Sequence, residues 1–386
     1  MKKLNFRGKT AVIVCHDAMF GPPHELRDYL LSHNIRRLLF IGHPNKTLVG
    51  NDITSSYFEV YEKKEKIKRY VSPVIQLPEM IGYMKDSFFT FYWSVTQMTG
   101  TIDYFIGLGN LNAFIGLILK GLGLTRKAFY YVIDYIPNRY SNKFINLFYQ
   151  WLDKICAQFS NCTWNYAQKM IDARALRWQK AFPYQKVVPN GIRLREKTKI
   201  KTHVSIKEIL YIGTLHEGQG IQLMIEALPH VIHVFPKVRF SIIGKGEYRQ
   251  YLEKMVHKRR LKNHVQFLGY IQDPAEADAR IAQASVGLAT YTPTNSMITY
   301  TEPGKVKRYF ACGLPVIMTD VGPLARVSVE AGCGIIVGYD AKILARTVVA
   351  LLTNKKLLEK MRKNALAFVK KYEWDHIFTD AFRNFL

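Results

Sequence analysis

Lys305 and Arg308 stand one turn apart in the stretch TEPGKVKRYFACG, residues 301–313. Pro303 and Gly304 come just before them, and Glu302 precedes those. Thr301 suits an N-cap, Glu302 the positive end of a helix dipole and Pro303 a first turn, so a helix is expected to run to Cys312 and to end at Gly313. Val306, Tyr309 and Phe310 fall at i, i+3 and i+4 and form its buried stripe, which leaves Lys305 and Arg308 together on the other side. Two cations on the first turns of a helix whose N-terminus already attracts negative charge can hold a phosphate group. A solvated lysine face is the plain alternative. LPVIMT follows at 314–319, a short apolar run of the kind that is buried on both faces of a parallel sheet.

Other residues could act beside these. Gly244 and Gly246 would let a ligand approach the backbone closely, although Gly-x-Gly at a strand end is also a common turn. Gly21, followed by Pro22 and Pro23, feeds the helical pattern HELRDYLL, and a glycine there would admit a phosphate or a sugar. Asp134 ends the apolar run AFYYVID and could orient a hydroxyl or accept its proton, given hydrogen-bond reach; it could equally be a cap. Asn110 and Asn112 read as turn chemistry at a neighbouring strand end. No Asp-x-Asp occurs, so the pairing that would hold a metal against a diphosphate is not expected.

These residues must be positioned by a chain of 386 residues, too long for one ordinary core and suited to two domains. Its formal charge is +25, from 55 Lys and Arg against 30 Asp and Glu, which draws in anionic ligands or surfaces. The basic residues form scattered clusters at 63–69, 193–201 and 257–260, each of which reads as a solvated loop or helix face. Nucleic acid would answer to the charge, but no RNA-binding aromatic motif or helix-turn-helix pattern appears, so none is expected. Five cysteines without a Cys-x-x-Cys pair suit a reducing compartment, and a cytoplasmic location is expected. The apolar stretch at 11–15 is too short for a secretory leader and reads as a first strand. Between Ser87 and Leu119 the only charged residue is Asp103. Polar and glycine interruptions divide that run into helix, strand, turn and helix rather than one membrane span. Phe88, Phe89, Phe91, Tyr92 and Trp93 read as core, while the basic clusters keep attachment to the inner, anionic face of a membrane open.

Apolar runs alternate with helical patterns along the whole chain, the signature of parallel α/β sheets. The pattern breaks at VVPNGI, 187–192, and restarts at EILYIGT, 208–214. Two doubly wound, Rossmann-like domains facing a cleft are expected: 1–190 on the acceptor side, 191–372 for the nucleotide sugar, and a C-terminal helix, 373–386, crossing back to the first.

This organisation resembles the GT-B fold of glycosyltransferases, and in particular the family 4 (group 1) retaining enzymes. ILYIGTLHEGQGIQLMIEAL is similar to the segment that opens their second domain, FSIIGKGEY to their Gly-x-Gly strand and turn, VQFLGYI to a base-contacting loop, and GKVKRYFACGLPVIMTD to their most recognisable helix and strand. WDHIF at 374–378 is similar to the start of their C-terminal helix. The resemblance implies transfer of a sugar from a UDP- or GDP-sugar to a glycan or lipid-linked acceptor, with retained configuration and no cofactor beyond the nucleotide sugar. It implies nucleotide-sugar contacts at Gly21, Gly213, Gly244, Tyr270, Gly304, Lys305 and Arg308, with His216 as a helper, and catalytic work at Asp134 and Glu302.

The pattern also departs from the family. The paired glutamates should fall at Tyr300 and Arg308, and no two glutamates in the chain stand eight apart. Arg308 would therefore meet ribose hydroxyls or phosphate as a donor only, and Glu302 would substitute toward the donor sugar. Thr214 and Gln219 appear where the family has an arginine and a lysine. Two other readings stay open on these grounds: a non-catalytic sugar-nucleotide-binding protein, and a nucleotide-sugar epimerase.

Overall fold

The computed structural model describes residues 4–17, 21–44, 53–194, 207–293, 298, 300 and 303–385. The chain divides into two compact units, Met1–Asn190 with Trp374–Leu386, and Gly191–Glu373.

The first unit is built on a sheet ordered β4-β3-β2-β1-β5-β6-β7-β8. Its strands are β1 (Thr10–Asp17), β2 (Arg37–Pro44), β3 (Tyr57–Glu62), β4 (Glu65–Val71), β5 (Ile102–Leu108), β6 (Thr125–Val132), β7 (Cys162–Asn165) and β8 (Gln185–Val187). All neighbours pair in parallel except β2–β3 and β3–β4, which form an antiparallel edge. The basic run at 63–69 is the turn and outer strand of that hairpin, and β4 is exposed along its whole length. Lysines on a bare edge discourage pairing with another chain. Its helices are α1 (Pro22–Ser32), α2 (Glu79–Gln97), α3 (Asn110–Gly121), α4 (Lys143–Phe159) and α5 (Gln168–Trp178). α2 packs on α3 and α3 on α4, whereas α1 lies against the C-terminal helix Trp374–Phe382. That last helix is held by apolar burial: the Phe382 ring meets Phe6 and Trp164 edge-on, each with centroids 5.0 Å away.

The run from 87 to 119, charged only at Asp103, divides as expected into the end of α2, β5, a turn and α3. Among the described residues no helix is long and apolar enough to cross a membrane. The aromatic group, read as core, corrects in part. Trp93 is buried and Phe89 and Phe91 pack against the same core, but the Phe88 and Tyr92 side chains point outward, 60% and 50% exposed.

The second unit holds a fully parallel sheet ordered β11-β10-β9-β12-β13-β14. Its strands are β9 (Glu208–Ile212), β10 (Arg239–Ile243), β11 (Val265–Gly269), β12 (Val286–Ala289), β13 (Val316–Thr319) and β14 (Gly334–Val337). Its α-helices are α6 (Ile221–Val234), α7 (Arg249–Lys258), α8 (Pro274–Gln283), α9 (Gly304–Ala311), α10 (Leu324–Glu330), α11 (Ala341–Thr353) and α12 (Lys355–Val369). One apolar core, including Ile209, Met224, Leu228, Phe240 and Ile317, joins the sheet to α6, α7 and α11.

Candidate active site

The expected phosphate helix begins slightly later than its sequence suggests. α9 starts at Gly304 with Pro303 as its N-cap, Cys312 is its C-cap, and Gly313 takes the left-handed conformation that ends it. Thr301 and Glu302 lie outside the described residues. Val306, Tyr309 and Phe310 form the buried stripe as read, and Lys307 is buried with them, its Nζ 4.0 Å from the Tyr372 ring centroid.

Lys305 reaches back over the carboxyl ends of β9 and β12. Its ammonium donates to Tyr211 Oη at 2.9 Å and to Gln219 Oε1 at 2.5 Å. It also faces the Tyr211 and Tyr291 rings, with centroids 4.2 and 5.2 Å away. Among the described residues no carboxylate stands within salt-bridge distance of it. Burial among rings and neutral polar groups pulls its pKa from 10.5 down to about 7. Gln219, which stands where the resemblance implies a lysine, therefore acts as an acceptor for Lys305. The Tyr211 hydroxyl in turn donates a hydrogen bond to the Thr214 carbonyl at 2.8 Å.

The loops around this amine are built on glycine for steric reasons. Gly213 and Gly244 have φ of 144° and 143°, where side chains are strained. A Cβ on Gly213 would stand 3.0 Å from Lys305 Nζ, and one on Gly244 would stand 1.9 Å from the Gly213 carbonyl oxygen. Backbone bonds lace the strand ends together: Gly213 N–H donates to Ile243, and Gly244 N–H to Gly269. Sequence reading thus named Gly213, Gly244 and Lys305 separately, and the fold gathers them into one place. Gly304 lies exposed at the start of the same helix, and Tyr270 follows β11 with its ring 5.2 Å from Lys245 Nζ. His216 caps the short turn Glu217–Gln219 by accepting from the Gly218 amide.

Arg308 does not share the face of Lys305, contrary to expectation. Its Nε donates to Asp278 Oδ1 at 2.6 Å and its Nη2 to the Pro274 carbonyl at 3.0 Å, so it ties α9 to α8. The i, i+3 spacing put both stems on one side of the helix, but a guanidinium follows the carboxylate that neutralises it.

In the first unit, Gly21 has φ of 104° and is the N-cap of α1, with open space where a side chain would be. Asp134 follows β6 and accepts from Arg139 Nη1 at 2.9 Å. Asn112 donates to the Leu108 carbonyl at 2.7 Å, the turn role expected of it.

Sequence reading missed a cluster at the carboxyl ends of β1 and β2. His16 and His43 are register partners there, and α2 brings Asp86 between them. Asp86 lies 3.6 Å from His16 Nε2 and 3.4 Å from His43 Nδ1, and Lys85 Nζ is 3.1 Å away. Ser56 donates to the same carboxylate, and His43 Nε2 meets Thr90 Oγ1 at 2.8 Å. Burial opposes ionisation of Asp86, yet the His16 and His43 contacts hold its carboxyl well below the usual range. Burial also lowers the His43 pKa, which favours the neutral imidazole. Only strand register joins residues 16 and 43, so spacing alone offers no signal.

Residues 206–354 match the family described as Glycosyl transferases group 1. The chain is 28% identical to the phosphatidyl-myo-inositol mannosyltransferase of Mycobacterium leprae over 218 residues, 54% of this chain and 56% of that one. It thus spans about half the length of the curated relatives it matches. Among solved structures, sucrose-phosphate synthase from Thermosynechococcus elongatus aligns with a TM-score of 0.70 at 16% identity, over 97% of this chain and 98% of that one. HepE of Anabaena, solved with UDP, aligns with a TM-score of 0.70 at 16% identity, over 97% and 98%. The matched segment contains β9 to β14 and α9 with Lys305, so the second unit is similar to the group 1 glycosyltransferases, and the two α/β units share the GT-B fold of the solved structures.

Proposed function

We propose that this chain transfers a sugar from a UDP- or GDP-sugar to a hydroxyl of a glycan or lipid-linked acceptor. The observation that carries the reading is the Lys305 amine, held at the glycine-walled ends of β9 and β10 and facing, among the described residues, neutral groups only. Such an amine gains most from an anion that arrives with its own charge, and a nucleoside diphosphate is the anion that this family's reaction releases. In the transfer, the bond from the anomeric carbon to the diphosphate oxygen breaks and its electron pair stays on that oxygen. Lys305 stabilises the charge that develops there. The acceptor oxygen bonds to the anomeric carbon, and its proton passes to the departing phosphate. Retention of configuration and independence of a metal belong to the same proposal, with Lys305 supplying the positive charge at the leaving group. The relatives' lipid-linked names support an acceptor at a membrane, and we place the chain at the cytoplasmic face as a peripheral protein.

Thermal-shift screening against UDP, GDP, ADP and their sugars tests the reading, because a ligand that binds only the folded state stabilises it in proportion to its saturation. Stabilisation by one diphosphate and its sugar is expected, with release of that diphosphate when acceptor is supplied. No response to any of them would overturn the reading.

A further inference from the structure

Two helices of the first unit, α2 and α4, bury several polar side chains and expose large apolar ones. α2 turns Asp86, Thr90 and Ser94 inward along with Trp93, and α4 turns Asn146, Gln150 and Asp153 inward. Most inward groups have partners: Asp153 binds the buried Arg174 at 2.8 Å, and the Gln150 amide nitrogen donates to the Ile136 and Pro137 carbonyls, while Gln150 Oε1 has none among the described residues. What faces outward is apolar. On α2, Met84 and Phe88 are 72% and 60% exposed, and Tyr92 stacks on Phe88 at 5.8 Å. On α4, Phe144 is 84% exposed, with Phe148 and Trp151 following at helical spacing and stacked at 6.0 Å. α3, packed between these two helices, ends in the exposed Leu122. Folding in water gives no reason to display large rings while burying amides and carboxylates, so the face is shaped for an apolar medium.

Charge says which one. Lys120, Lys143 and Lys154 stand on α3 and α4, and Lys68 of β4 reaches the end of α2 through Gln97. The acidic side chains of the three helices are Glu79, Asp86 and Asp153, and the last two are buried. A second copy would set like charge against like charge, since the whole chain carries +25. Phosphate headgroups meet the lysines while the rings enter the headgroup and acyl boundary. We infer that the outer face of α2, α3 and α4 docks on an anionic lipid bilayer. This gives the proposed membrane location a surface, and it stands apart from sugar transfer, because docking is measured without turnover.

The test is flotation of the full chain with vesicles of phosphatidylcholine alone and of phosphatidylcholine with about one third phosphatidylglycerol, for wild type and for Phe88→Glu/Phe148→Glu. Both side chains are exposed, so the variant should keep its melting temperature and its nucleotide response. Wild type should float with the anionic vesicles and much less with the neutral ones, and the variant should lose about tenfold or more of that binding. Equal flotation of wild type and variant would overturn the inference, as would no flotation of wild type. A wild-type dimer by light scattering that becomes monomeric in the variant would overturn it too, by assigning the face to a second copy.

Discussion

The two units each gather polar groups at the carboxyl ends of parallel strands, where α/β sheets bind their ligands, but they treat charge in opposite ways. In the first, Asp86 is surrounded by His16, His43, Lys85 and Ser56, so its charge is answered within the protein. In the second, Lys305 meets a hydroxyl, an amide oxygen and two rings. α9 repeats the contrast within one turn, because Arg308 already has Asp278 and Lys305 has no described carboxylate. A charge answered at home contributes rigidity, whereas one left to neutral neighbours is kept ready for an incoming ion of opposite sign.

The largest expected effect breaks the answered side. Asp86→Ala leaves His43, Ser56 and Lys85 without their shared acceptor and should remove about 3–5 kcal/mol from the stability of the first unit, read as a lower denaturation midpoint. Nucleotide affinity should not change in the folded variant. On the other side, Lys305→Met should weaken the best-binding diphosphate by about 1.5–3 kcal/mol, roughly 10- to 150-fold in Kd, with little loss of stability. A variant that binds as tightly as wild type would remove the contrast.

Acidity sharpens the comparison further. The amine of the free protein titrates near 7, below its value of 10.5 in an unfolded chain, so the unfolded state holds this proton more tightly between those limits. The penalty is present in full below pH 7 and lifts as pH rises toward 10.5, so the second unit should gain stability over that window. Diphosphate binding runs the other way. A bound anion favours the ammonium, so above pH 7 each binding event takes up a proton, and Kd should rise by up to about tenfold per pH unit. Below pH 7 Lys305 should add no further dependence. Arg308→Met, the smallest effect, should leave diphosphate affinity within about twofold and cost no more than about 1 kcal/mol, as expected for a partly exposed ion pair. A loss matching that of Lys305→Met would show that both cations serve the ligand.

The legible parts of this molecule are those set by local periodicity. The alternation of apolar runs and helices was enough for the parallel strands of both sheets, though not for the antiparallel edge β2-β3-β4, and i, i+3, i+4 spacing was enough for the Val306, Tyr309 and Phe310 stripe. Direction was not legible where it depends on a distant partner. Arg308 turns toward Asp278, 30 residues away, and nothing in TEPGKVKRYFACG records that. His16, His43 and Asp86 meet only through the register of β1 on β2 and the return of α2. The outward face of α2 was misread for a related reason: aromatic residues imply a core until Asp86 is seen to have its histidines on the inner side.

The most direct measurement is an NMR titration of the Lys305 side-chain amine, assigned by its absence from Lys305→Met, with and without saturating nucleoside diphosphate. A pKa near 7 in the free protein that climbs well above 9 in the complex is the result this account predicts. An amine that titrates near 10.5 and does not move when the diphosphate is added would contradict it.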